Sequence, residues 1–282
     1  MHPSSAPHFI RPYSSLALAL RSCGRQRPTI EAWLHWWHEV SSTPYHVTDP
    51  SVAEKKLAWW AKAITLSFEI PPQHPLLKAI APGSGVLTSP PIDLWLSQVH
   101  AMSDLCAQTR WLDEATLNRH IDGSTGAACQ SVACLMGAKE ERTLQIAREM
   151  GQGLRRAHIL ARLGQDAQKG WLHIPIDWLQ KHDIKAHALL KPSPSPHLPQ
   201  LVQLLDAWQT DASERLRQSV SHAAQLPRSD KRALKPLVVL CKLNLQLLGD
   251  LKQQQYPMLH QRVTVGPWRK LWSSRKAAWT WF

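Results

Sequence analysis

The stretch from Ala147 to Pro175, AREMGQGLRRAHILARLGQDAQKGWLHIP, constrains this chain more than any other. It reads as the latter part of a helix from Glu140 to about Leu163, with Gly164 placed to cap it and a basic loop around Gly170 beyond. At 3.6 residues per turn, Arg155, His158, Arg162 and Asp166 share one face. Arg148, Arg155 and Arg162 recur every seven residues. A helix this long needs other helices to cover its apolar sides. The composition supplies them: Ala, Leu, Gln, Lys and Arg abound, whereas Gly numbers 12 and Tyr and Phe 3 each. That balance favours an all-α chain over a sheet.

At 282 residues the chain can bury one large core, so a single domain with tails is expected. Pro28 opens a helix through TIEAWLHWWHEVSS, and Asp49-Pro50-Ser51 starts the next, which Pro71-Pro72 stops. In the second, Leu57, Trp60, Ile64 and Phe68 recur at helical spacing, and Trp59-Trp60 are expected to pack inside the bundle. A proline- and glycine-rich loop precedes helices over Ile92 to about Arg110 and Asp113 to about Met136. A shorter helix over Pro175 to about His187, a proline-rich surface loop at 191–199, and two long helices at about 200–226 and 230–256 complete the set. The division expected is an N-terminal segment 1–27, a helical domain 28–260 and a basic, Trp-rich tail 261–282.

Several fragments, in order, resemble one family. KLAWWAKAI (56–64) resembles KLAWWREEI of the squalene and phytoene synthases, and HPLLKAI (74–80) resembles their HPVxxAL. Residues 122–138, DGSTGAACQSVACLMGA, are similar to a helix with YCxxVAGxVGxL. The opening segment keeps the frame LGxALQLTNILRDVxEDAxxGRxYLP. Together with the closing helices, the resemblance covers roughly residues 28–275. It implies an isoprenoid-synthase fold, a single-domain helical bundle with a central cavity. In active members two aspartate-rich motifs there hold Mg²⁺ against the diphosphate of a prenyl donor. Mg²⁺ takes hard oxygen ligands in octahedral geometry, so paired carboxylates suit it, and it stabilises the departing diphosphate.

In this frame the acidic motifs are degenerate. Arg155 takes the Gln position, His158 the Asn, Ala161 the Arg and Arg162 the first Asp, while Asp166 alone keeps its place. The first motif falls near WLHWWHEVSS (33–42), where Glu39 is the only carboxylate. Asp166 and Glu39 are thus the metal candidates, and Arg148, Arg155, His158, Arg162 and Lys169 are the candidates for binding an anion or diphosphate. The competing expectation for the stripe is an i,i+4 ion pair between Arg162 and Asp166. His35 and His38 stand three apart near Glu39 without an obvious third ligand, and Asp104, Asp113 and Glu114 are further carboxylates for the cavity.

These residues point to a divergent family member that has lost prenyl transfer, needs no cofactor and serves as a binding or scaffold partner beside an active homologue or another protein. One alternative is a working Mg²⁺-dependent enzyme joining two prenyl diphosphates head to head. Another is a module that holds an isoprenoid without reacting it. The formal charge of +12 suits an anionic partner, but no dense Lys/Arg block exists, so nucleic acid is the least expected. In the tail Trp268, Trp272, Trp279 and Trp281 alternate with Arg269, Lys270, Arg275 and Lys276, a mixture that fits either a membrane surface or docking on the bundle. Five cysteines without a CxxC pair and the lack of an 18-residue apolar run lead to the expectation of a cytoplasmic protein, peripheral to a membrane if the tail touches one.

Overall fold

The computed structural model describes residues 10–47, 49–82, 89–190, 199–259 and 266, and every regular element among them is helical. In chain order these are α1 (Ser15–Leu20), α2 (Arg27–His46), α3 (Pro50–Ser67), α4 (Pro75–Ile80), α5 (Ile92–Ala107), α6 (Glu114–Ile121), α7 (Ala127–Leu135), α8 (Glu141–Gln168), α9 (Ile176–Lys181), α10 (Ala186–Leu190), α11 (Pro199–Ala224) and α12 (Arg228–Gln253). A π-helical segment, Asp122–Gly126, joins α6 to α7. No helix among the described residues is long and apolar enough to cross a membrane.

Local chemistry starts these helices where the sequence places them. The Asp49 carboxylate accepts from the Ser51 amide with Pro50 in the first turn of α3. Asp113 caps α6 through a reciprocal pair with Thr116. The long α8 lies at the centre, packed by α7, α11 and α12. The apolar faces close on one large core, in which Trp36 meets Trp95 at 4.5 Å and Trp60 at 6.5 Å, both edge-on, with a small second cluster of Leu18, Ala19, Val239 and Leu243 between α1 and α12.

Four expectations are corrected. Gly164 does not cap the signature helix but lies buried within it, and α8 continues to Gln168 before Gly170 turns with φ +84°. Its burial against neighbouring helices holds that last turn in place. The single helix expected over 113–136 is interrupted by the π segment. There α8 presses so close that a Cβ on Gly151 would stand 2.5 Å from the Thr125 carbonyl oxygen. The loop after Pro71-Pro72 contains α4, started by His74 accepting from the Leu76 amide and by Pro75. Finally, Trp60 is buried as expected but Trp59 is half exposed. Residues of the N-terminal segment join the bundle, since Leu18, Ala19, Leu20 and Cys23 are buried and α1 packs on α12. The tail beyond 259, Gly266 apart, and residues 191–198 of the proline-rich loop lie outside the described residues.

Candidate functional site

The polar centre is assembled by two short extended stretches. The Leu172 amide donates to the Thr109 carbonyl (3.3 Å) and the Ile176 amide to the Trp111 carbonyl (3.0 Å), which sets Trp111 beside His173. The Trp111 indole lies 3.4 Å from His173 Nδ1. An indole N–H can only donate, so Nδ1 accepts and the ring proton is assigned to Nε2. From there His173 donates to the Tyr45 hydroxyl at 3.3 Å, and Arg155 Nη2 donates to the same oxygen at 3.2 Å. The Trp171 ring sits 4.9 Å from Tyr45 and stacks on His173.

Burial and the arginines keep these imidazoles neutral. His173 is pushed well below its ordinary value by burial first, then by Arg155, His120, His158 and Arg162. Burial, with Arg155, brings His120 down to about 3, against a weak opposing pull from the Ala101 carbonyl. His158 also falls to about 3, through burial and then Arg155 and Arg162. Its side chain nonetheless has the accessible surface of an exposed residue.

At the second acidic position Arg162 Nε and Nη2 bond one Asp166 oxygen at 3.2 and 3.1 Å. Asp166 is the one carboxylate in the C-terminal half of α8, and this pair occupies it. Guanidinium groups, neutral imidazoles and a phenol with one engaged carboxylate do not fit a Mg²⁺–diphosphate clamp. Among the described residues no three of His, Cys, Asp and Glu gather closely enough to hold a metal ion.

The other expected residues are dispersed. Glu39 is exposed and pairs with Lys56 of α3 at 3.1 Å, because its side of α2 faces outward. Arg148 donates to Gln130 of α7 at 3.2 Å, and 14 residues of helix put it about 21 Å along the axis from Arg162. Lys169 is exposed at the end of α8, whereas Asp104 of α5, though exposed, lines the same groove as Trp111 and His120. Asp113 is a helix cap, and Glu114 bonds Arg156 and the Trp178 indole. Neither serves as a cavity carboxylate. Of the candidates, Arg155, His158, Arg162 and Asp166 belong to the centre.

Sequence reasoning missed Tyr45, Trp111, Trp171, His173 and Arg156. Tyr45 escaped because α2 was expected to end near Ser42, whereas it runs through Pro44 to His46. The signal was present in the seven-residue step from His38 to Tyr45, which returns to the same helix face. Arg156, one residue beyond the stripe, turns into the protein. It is fully buried between Glu114, Asn118 (2.9 Å) and Asp211 (2.8 Å), with its guanidinium 5.0 Å from the Trp208 ring.

Two spaces adjoin the centre. A groove of about 800 Å³ runs between α5 and α6 with Trp111 and His120 among its lining. An apolar pocket of about 150 Å³ lies among α1, α2, α7, α8 and α12, and its Leu154 stands one turn before His158.

Solved squalene-type synthases share this fold. A dehydrosqualene synthase solved with a ligand superposes with TM-score 0.80 at 14% identity, covering 94% of this chain and 91% of that one. Squalene synthase HpnC from Alicyclobacillus acidocaldarius gives TM-score 0.73 at 12% identity, covering 84% and 88%. The fold is therefore that of the isoprenoid synthases. A bifunctional lycopene cyclase/phytoene synthase of Leptosphaeria maculans is 28% identical over 138 residues, 49% of this chain, which spans only 22% of that protein. Residues 13–269 match the squalene/phytoene synthase family, whose members are prenyl transferases that use Mg²⁺ when active. With that match running through nearly every helix described above, the chain belongs to the squalene/phytoene synthase family.

Proposed function

We propose that this chain is a catalytically degenerate member of the family. It does not carry out Mg²⁺-dependent prenyl transfer and serves as a binding or scaffold partner, beside an active homologue or another protein. The observation that carries this reading is the closure of Asp166 by Arg162, with Arg155 and Tyr45 joined beside it. At ~6 Å and an effective dielectric constant of ~20, a divalent cation is repelled by each guanidinium by roughly 5 kcal/mol and attracted about equally by one carboxylate. Two guanidiniums against one carboxylate leave the balance repulsive.

The apolar pocket supports a second reading, an isoprenoid held without reaction. A cavity near 150 Å³ accepts a ligand of about the size of benzene. It would have to open to take a whole prenyl chain, so the scaffold reading stands first.

The test is incubation of the purified chain with farnesyl or geranylgeranyl diphosphate and Mg²⁺, with released pyrophosphate and hydrocarbon as readouts. Neither product is expected. Turnover at ordinary enzyme rates, on the order of 1 s⁻¹ or faster, overturns the proposal. Isoprenoid that co-purifies with unreactive protein shifts it to the second reading.

A further inference from the structure

Six large hydrophobic side chains stand exposed among the described residues, and four of them follow one line on α3 and the turn after it. These are Val52, Trp59, Leu66 and Ile70, between 40% and 55% exposed. The seven-residue steps from Val52 to Trp59 to Leu66 keep them on one side of the helix. The Ile70 amide donates to the Leu66 carbonyl at 2.9 Å, which carries the line one turn past the helix end. Lys55 and Lys62, also seven apart and exposed, lie within the same stripe.

Beside it runs an apolar furrow of about 280 Å³ walled by Trp59, Ala63, Leu66, Ile70, Pro71 and Leu77. The Trp59 indole is held edge-on against Trp60 (4.9 Å) and His74 (5.5 Å), so it is braced in its exposed position. Glu54 lies roughly 140° round the helix from Trp59, and the carboxylates that border the stripe stand at its two ends, Asp49 before the first turn and Glu69 after the last. A contiguous exposed apolar stripe of this kind marks an interaction site.

We infer that this face of α3 docks on the surface of an anionic lipid bilayer, with Trp59, Leu66 and Ile70 entering the headgroup layer and Lys55 and Lys62 meeting the acidic lipid. Charge selects this occupant. The stripe combines an apolar ridge with cations, which matches a surface that is apolar within and negative at its boundary. A two-fold contact with a second copy would instead set Lys55 and Lys62 against the same pair, on chains that each carry +12. The inference does not depend on how the polar centre functions.

The test is co-sedimentation of the full chain with vesicles of phosphatidylcholine alone and with about a third phosphatidylserine. Binding is expected to the acidic vesicles, and to weaken as salt rises. It is expected to fall about tenfold in Trp59→Ser and in Leu66→Ser/Ile70→Ser, which lose apolar insertion. A fall of similar or greater size is expected in Lys55→Glu/Lys62→Glu. All of these side chains are at least partly exposed, so circular dichroism should remain unchanged, with melting temperature lowered only in Trp59→Ser, which loses its packing on Trp60 and His74, and the charge variant provides a check if an apolar one misfolds. Three results each overturn the inference. The first is unchanged binding in the α3 variants while a chain with Trp268, Trp272, Trp279 and Trp281 changed to Ser loses it. The second is equal binding to neutral vesicles. The third is a dimer in sedimentation analysis that Leu66→Ser/Ile70→Ser dissolves, with no vesicle binding.

Discussion

Arg156→Ala should be one of the most damaging single changes in this chain that leaves the polar centre's own side chains in place. The guanidinium has no exposure and joins α8 to Glu114 and Asn118 of α6 and to Asp211 of α11. Breaking a buried ion pair on one side costs ~3–5 kcal/mol, chiefly because the partner is left uncompensated. Here Glu114 and Asp211 are 34% and 24% exposed, and Arg215 continues to bond both, at 3.4 and 3.0 Å. That places the loss at the lower end, about 3 kcal/mol, to which the cation–π contact with Trp208 adds roughly 0.5–1 kcal/mol. For a domain of this size the sum corresponds to a melting temperature lower by about 6–7 °C. Thermal and urea unfolding followed by circular dichroism would measure it. Arg156→Leu combined with Glu114→Gln, Asp211→Asn and Arg215→Gln should recover much of the loss, because neutralising all four members of the cluster leaves no charge stranded. A cost under about 1 kcal/mol for Arg156→Ala would refute the reasoning, since it would mean that the cluster behaves as a solvated surface network.

Gly151→Ala should cost about 3 kcal/mol in the same assay, because the new Cβ meets Thr125 and Gly126 backbone atoms at 2.5–2.9 Å and the π segment must move. Arg162→Ala should change stability by less than about 1 kcal/mol, as its i,i+4 pair with Asp166 is 40% exposed on the arginine side. Acid should destabilise the fold through its buried imidazoles. His120 and His173 have folded values below the ordinary 6.5, so the unfolded chain binds more protons as pH falls. Stability is then fully present above about 6.5 and declines as pH drops toward 3. Urea midpoints from pH 7 to pH 4 should show that slope, and His120→Phe should flatten it. A midpoint independent of pH across this range would contradict the buried, neutral imidazoles.

Much of the fold is written locally and was legible as such. Asp49 with Pro50, Asp113 with Thr116 and the proline stops mark helix ends through contacts spanning a few residues. The periodic apolar positions of α3 and α8 follow from helix geometry alone. The family frame, with Arg162 at a position where the resemblance expects an aspartate, is likewise a property of residue order. Local rules failed where packing overruled them, as at Gly164 and in the π segment against Gly151.

The centre was half legible. The α8 stripe of Arg155, His158, Arg162 and Asp166 follows from spacing, and so does the ion pair at its end. Its opposing wall does not. Tyr45 and His173 meet across 128 residues, Arg155 reaches Tyr45 across 110, and Trp111 reaches His173 across 62. Helix periodicity says which side chains share a face but not what that face meets. By itself, then, the sequence determined an all-helical family member with Arg162 where the resemblance places one aspartate and Asp166 where it places the other. Only the tertiary structure decided that Tyr45 rather than Glu39 stands opposite Arg155, that Arg156 turns inward and that Trp59 turns out. Each of those outcomes depends on how separate helices dock, through contacts between residues far apart in the chain.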